Sequence, residues 1–381
     1  MTTQHNFGPV GIIGSTVADR PDPRLLPLGE YFVSELDGRT FFVTRNGIGV
    51  HVWKEVLGAG GGGGSPVGFV VGPAGSGAQF TTFASAIAAA LLAGISTVMF
   101  LSGRYAAEPV INLPAGISLQ PFGAEEFTAI IIADIVTNAP FSLTRSVQAL
   151  RGFVLQGTIT CGPLAGPATN AIVTLTDMQI SSPAGHGIRT LNDGWTFVLK
   201  EADINVPAGS RDIDANGSVS IDASRSNFGS VDRPPVELGN GGSARFENCF
   251  FRGPANRISN VAASLNFTNT IFELLGSPSY VIDGFAGSTV SINGTFVQQG
   301  LAAAGMILDP LLGTLQIGMG VDLGELKFSS RPVPPSANIM QGVTAYFFGM
   351  LPGGPSTTAT EAPVYFAAGF WRRTSDDSVA A

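Results

Sequence analysis

Leu150, Leu175, Leu199, Ile221, Phe246, Phe267 and Ile292 recur along this chain at intervals of 21 to 25 residues. Self-similarity at such a spacing is the mark of a repeat architecture, in which one unit cannot bury its apolar positions alone and stacked units form a continuous core. Five positions after six of these anchors stands a second apolar residue: Leu155, Ile180, Ile204, Phe251, Phe272 and Val297. Ile221 is the exception, with Ser226 at that place and Phe228 two residues later. Two positions after the anchors come Gly152, Asp177, Glu201, Ala223, Asn248, Asn269 and Gly294. Most of these are Gly, Asn or Asp, the types that tolerate the left-handed backbone of a sharp bend. Each period reads as strand, bend, strand and a longer return loop, and coils of this kind stack about 4.8 Å apart. Seven coils run from Leu150, with an irregular pair before them and a candidate eighth at Leu315. A leucine-rich solenoid would need more Leu and a helical period, and neither is present.

Four regions follow from the punctuation. The run GAGGGGGSP, residues 58–66, is a flexible linker by composition and sets off residues 1–57. Within those, GEYFVSELDGRTFFVTRNGIGVHVWKEV alternates apolar and polar residues and breaks at Asp37-Gly38 and Asn46-Gly47, dipeptides that supply hairpin turns. The first 28 residues, rich in Gly and Pro, read as an arm that needs a neighbouring subunit or another protein to order it. The repeats occupy 67–320, and Pro332, Pro334 and Pro335 open a C-terminal β segment within 321–381.

Between Glu55 and Arg104 there is no charge, and Phe83 to Leu101 is long enough to suggest a membrane span. The run divides at Gly94 into an amphipathic helical stretch and a β-branched one, so it reads as helix plus buried strand. Charged residues make up 13% of the chain and the net charge is −8. Nucleic acid and membrane surfaces are therefore excluded as partners, for want of a basic patch. So few charges also imply that much of the surface is buried against other copies or other proteins. Cys161 and Cys249 are too few for a disulfide framework and read as core.

In GSGAQFTTFASAIAAALLAGISTVMFLSGRY, Phe80, Thr82, Phe83, Ala86 and Ile87, followed by Val98, Gly103 and Tyr105, resemble the entry segment of pectin-lyase-like right-handed parallel β-helices. The resemblance implies an all-β right-handed parallel β-helix capped by an N-terminal α-helix that covers the open end of the stack. The meander ending at Trp53 resembles the small repeat of phage tail and fibre proteins. Together these imply a structural virion protein: a tailspike, fibre or capsid-decorating protein, attached to other capsid or tail proteins through residues 1–57 and presenting a shaft that could meet a host-surface glycan. The alternative is a carbohydrate-active β-helix enzyme.

Catalytic sets are thin. Asp222 and Glu247 each lie one position after an anchor and are expected to stack outward on adjacent coils beside Lys200, either as an acid/base pair or as a solvated charge ladder. Asp212 and Asp214 in SRDIDANGS read as a turn rather than a cation loop. GPAGSG lacks the Lys and Ser/Thr of a phosphate loop, His186 in AGHGI reads as a loop residue, and no GxSxG occurs. No metal or cofactor is expected. Four positions after the anchors, an outward column runs Gln179, Asp203, Arg225, Phe250, Ile271 and Phe296. Its apolar end, Phe250, Ile271 and Phe296, is the expected interface of a homotrimer, with Asn205, Asn227, Arg252, Glu273 and Gln298 as the polar rim. The competing cover for that stripe is the C-terminal segment carrying Phe347, Phe348 and Phe366.

Overall fold

In the computed structural model the described residues are 68–253, apart from 123–128, 140–144, 163–169, 216 and 240, together with the segments named below on either side. They form a parallel β-helix of about seven turns. Each coil contributes two strands to one long sheet and a third, short strand to an eight-stranded sheet.

The inner columns follow from the sequence period. Leu119, Leu150, Leu175, Leu199, Ala223, Phe246, Phe267, Ile292, Ile317 and Ile339 succeed one another in register. The second column runs Ile131, Leu155, Ile180, Ile204, Phe228, Phe251 and Phe272, each at most 1% exposed. The third strands add Ile111, Ile135, Ile159, Ile188, Ile213 and Val236, and Cys161 and Cys249 are buried thiols in the same core.

One coil departs from the expected register by two residues. Leu199 pairs with Ala223, and Ile221 pairs with Phe197, so the anchor of that coil is Ala223. Five positions on from Ala223 is Phe228, which removes the irregularity at Ser226, and two positions on is Arg225, the bend. The outward column therefore runs Gln179, Asp203, Asn227, Phe250 and Ile271, and Gly229 takes the rim place expected for Asn227. A register shift between Thr268 and Thr270 puts Phe296 opposite Thr270, out of line with Ile271, and pairs Glu273 with Gln299 rather than Gln298. The side chain of Phe296 lies outside the described residues.

The charge-free run is the helix Phe83–Ala93 and the strand Thr97–Phe100. Thr82 caps the helix start by accepting from the Ser85 N–H, and Gly94 ends it with φ of 65°. Phe83, Ala86, Ile87 and Ala90 are buried in the same core as the coils, against the strands Phe69–Val71, Thr97–Phe100 and Val110–Pro114. No helix among the described residues is long and apolar enough to cross a membrane.

Tyr31–Ser34, Arg39–Arg45 and His51–Val56 form the antiparallel meander, and Ile12–Gly14 adds a parallel fourth strand. Both Asp37-Gly38 and Asn46-Gly47 lie outside the described residues. Part of the arm makes contacts within its own chain. Ile12–Gly14 pairs with the meander, the Trp53 indole N–H donates to the Pro21 carbonyl at 2.7 Å, and His51 Nδ1 meets the Leu26 carbonyl at 2.9 Å. At the other end the parallel ladder continues past residue 320 through Gly313–Ile317 and Ala337–Ile339. Thr344–Phe348, Ala362–Ala367 and Phe370–Arg373 then pair antiparallel, with Phe366 buried against Trp371. Phe366 is thus committed to packing among the terminal strands, and the side chains of Phe347 and Phe348 lie outside the described residues.

Candidate functional site

The densest charge cluster lies on the outer face of the third strands, in residues that the sequence pattern does not bring together. Coil stacking places Arg189 next to Asp214 and Asp214 next to Glu237, because Ile188, Ile213 and Val236 are in register one position before them. Asp214, only 13% exposed at its side chain, lies 3.6 Å from each of three cationic or ionisable groups: His186 Nε2, Arg189 Nε and Arg211 Nη1. Arg211 also forms an ion pair with Glu237 through Nη2. The Arg211 backbone N–H donates to His186 Nδ1 at 3.1 Å.

That hydrogen bond assigns the tautomer, since a backbone N–H can only donate and Nδ1 must therefore be unprotonated. The ring proton sits on Nε2, facing Asp214. Asp214 faces His186 and two arginines, and Glu237 faces Arg211, so the cluster is a network of opposite charges. What it does is tie residues 186, 211–214 and 237, which belong to three successive coils.

Asp222 and Glu247 are not the adjacent pair expected. The two-residue slip at Ala223 sets Asp222 opposite Arg245 and Glu247 opposite Ser224, while Arg245 Nη2 holds Glu247 Oε2 at 2.8 Å. Lys200 stands in the Glu247 column but two coils away, with Ser224 between them. An arginine therefore stands beside both carboxylates where a shared proton would require them side by side.

Asp214 belongs to a strand, Ile213–Ala215, instead of a turn, and Asp212 is wholly buried just before it. Among the described residues no group of three or more His, Cys, Asp and Glu is arranged to hold a metal. The glycine run at Gly72–Gly77 makes a turn closed by Ser76 N–H to the Pro73 carbonyl, 3.0 Å. Beside it, a cleft of about 290 Å³ reaches the start of the helix Phe83–Ala93. There the Glu108 carboxylate accepts from the N–H groups of Phe83 at 2.5 Å and Ala84 at 2.9 Å, so the place an anion would take is filled by the protein's own side chain. On the outer face of the long sheet, Phe250 and Ile271 are register neighbours and half-buried, with the Arg252–Glu273 ion pair at 3.1 Å beside them.

The signal for the Asp214 cluster was present as coil-length spacing: His186 to Arg211 and Arg189 to Asp214 are each 25 residues apart, and Asp214 to Glu237 is 23. It lies on the third strands, away from the anchor columns. The fold and these sites together define a parallel β-helix whose outward charges lace its coils together. No known family model matches the chain, and no curated protein matches it.

Proposed function

We propose that the protein is a structural component of a virus particle, a tailspike, fibre or capsid-decorating protein whose β-helical shaft is held out from the particle by residues 1–57. The observation that carries the structural part of this reading is the pairing of the outward carboxylates. Asp214, Glu237 and Glu247 are each held by an arginine, and no acid/base pair is left free among them. The Asp214 and Glu237 pairs lace coil to coil, as a shaft needs, and engage, with arginine, carboxylates that glycan hydrolysis would need as a pair set a defined distance apart. The virion part rests on the fibre-like character of the meander ending at Trp53. A homotrimer is the assembly that suits the outer face, because Phe250 and Ile271 stack as neighbours there and a threefold contact would bury both.

Incubation with pectins, alginates and bacterial polysaccharides should give neither depolymerisation nor ester release. Cleavage that vanishes in Asp222→Asn or Glu247→Gln would establish the enzyme reading instead. Light scattering should give three times the chain mass of 39.3 kDa for the wild type and one times for Phe250→Glu; a monomeric wild type at micromolar concentration removes the trimer.

A further inference from the structure

Asp212 is 0% exposed, and neither of its carboxylate oxygens accepts a hydrogen bond of good geometry, the backbone donor that bears on them being the Gly229 N–H. It sits at the corner between the strands Trp195–Val206 and Ile213–Ala215. Its carbonyl accepts from the Ile188 N–H at 2.8 Å, which fixes the main chain of the corner in the ladder. Gly187 is its partner in the coil before, and a Cβ there would run into the Asp212 carbonyl at 2.7 Å and into Ile204 at 2.6 Å. The main chains of the two coils are therefore closely packed at this corner.

The charged groups around it are accounted for. Asp203, on the strand Trp195–Val206, is the one whose charge acts on Asp212, and it acts against ionisation. Arg211 is turned to Asp214 and Glu237, and His186 to Asp214 and the Arg211 amide. From the next coil, Asp232 accepts from the Gly209 N–H at 2.6 Å, and Arg233 is exposed. The Gly229 amide favours the charged form, but burial outweighs it and pushes the Asp212 carboxyl well above its usual range. Partial desolvation moves Asp203 in the same direction. An isolated buried carboxylate is among the costliest groups a fold can carry, and taking up a proton is how such a group avoids that cost.

We propose that Asp212 carries a proton at neutral pH and that this proton, which the negative charge of Asp203 helps to hold, is a switch that keeps the corner at residues 207–212 tight in acid and loosens it as the solution becomes alkaline. The folded chain binds the proton more tightly than the unfolded chain, whose aspartates titrate near pH 3.9. The stabilisation is therefore complete below that pH and is lost as pH rises through the folded midpoint. Most proteins lose stability in mild acid as their paired carboxylates protonate; this corner gains it.

Two measurements test the switch. Infrared spectroscopy of the wild type at pH 7 should show a protonated carboxylic acid C=O band that is missing from Asp212→Asn; absence of the band from the wild type overturns the proposal even if no variant folds. Hydrogen exchange of the amides from Ala208 to Asp212, corrected for base catalysis, should report opening that rises about tenfold per pH unit above pH 4 and levels off once the folded midpoint is passed. In Asp203→Asn it should level off at a lower pH. In Asp212→Asn opening should be independent of pH, with better protection than the wild type at pH 8. Opening that is flat with pH in the wild type contradicts the switch. So does a melting temperature that rises with added Ca²⁺ in the wild type and not in Asp212→Asn, because the oxygens would then serve a cation.

Discussion

Among the described residues, seven successive bends from Gly152 onward have a left-handed backbone: Gly152, Asp177, Glu201, Arg225, Asn248, Asn269 and Gly294, with φ between 49° and 73°. For L-residues other than Gly, Asn and Asp this conformation costs roughly 1–2 kcal/mol. Glu201 and Arg225 bear that cost while facing each other in an ion pair of 2.8 Å, but both side chains are largely exposed and such a pair contributes at most about 1 kcal/mol. Arg225→Asn should therefore raise the unfolding midpoint, by roughly 1 kcal/mol or less, as measured by chemical denaturation. Gly294→Ala should lower it by about 1–2 kcal/mol, since φ is 67° there and an added Cβ would strike the Asn269 side chain. Six of the seven bends were legible as Gly, Asn, Asp or Glu at a fixed distance from an apolar anchor. Arg225 was hidden because Ile221, two residues before the true anchor Ala223, is the more hydrophobic candidate and is itself buried at 2% exposure. Strand side chains repeat every two residues, so a two-residue slip keeps every side chain on its own face and breaks no pattern of alternation.

Among the strands, the core changes character along the stack. Aliphatic columns give way to rings: Phe228 stacks on Phe251 and Phe251 on Phe272, each with centroids 4.9 Å apart, and Phe246 lies over Phe267 at 5.4 Å. Parallel coils about 4.8 Å apart dictate that separation, and offset or edge contacts with the neighbouring column complete the packing. Phe251 touches rings in the coils before and after it, so Phe251→Ala should destabilise the shaft by about 3–5 kcal/mol in calorimetry. If the cost is below 1 kcal/mol, the rings do not act as a continuous column. These two strand columns were legible because anchor and partner sit five residues apart within one short window. The third strands were not. They are only about three residues long, and return loops of varying length separate them from the anchors, so the stacking of His186, Arg189, Arg211, Asp214 and Glu237 emerges only when the coils are laid on one another. Asp212 was hidden for a related reason: in sequence it looks like any Asp near a turn, and it is buried only once the coils are stacked.

For the whole molecule, a chain with 13% charged residues spends many of its outward charges on bonds between its own coils. That suits a rod which must keep its shape when held at one end. The apolar neighbours Phe250 and Ile271 and the meander separated by residues 58–66 fit an assembly in which one end attaches and the shaft packs on copies of itself. The central claim is that this assembly belongs to a virus particle. Density-gradient purification of virus particles from the source that produces the chain, followed by quantitative mass spectrometry, tests it most directly. The account predicts that the full chain bands with the particles in a fixed copy number per particle that is a multiple of three. Its absence from the particle band, with the protein recovered free in the lysate, would contradict the account.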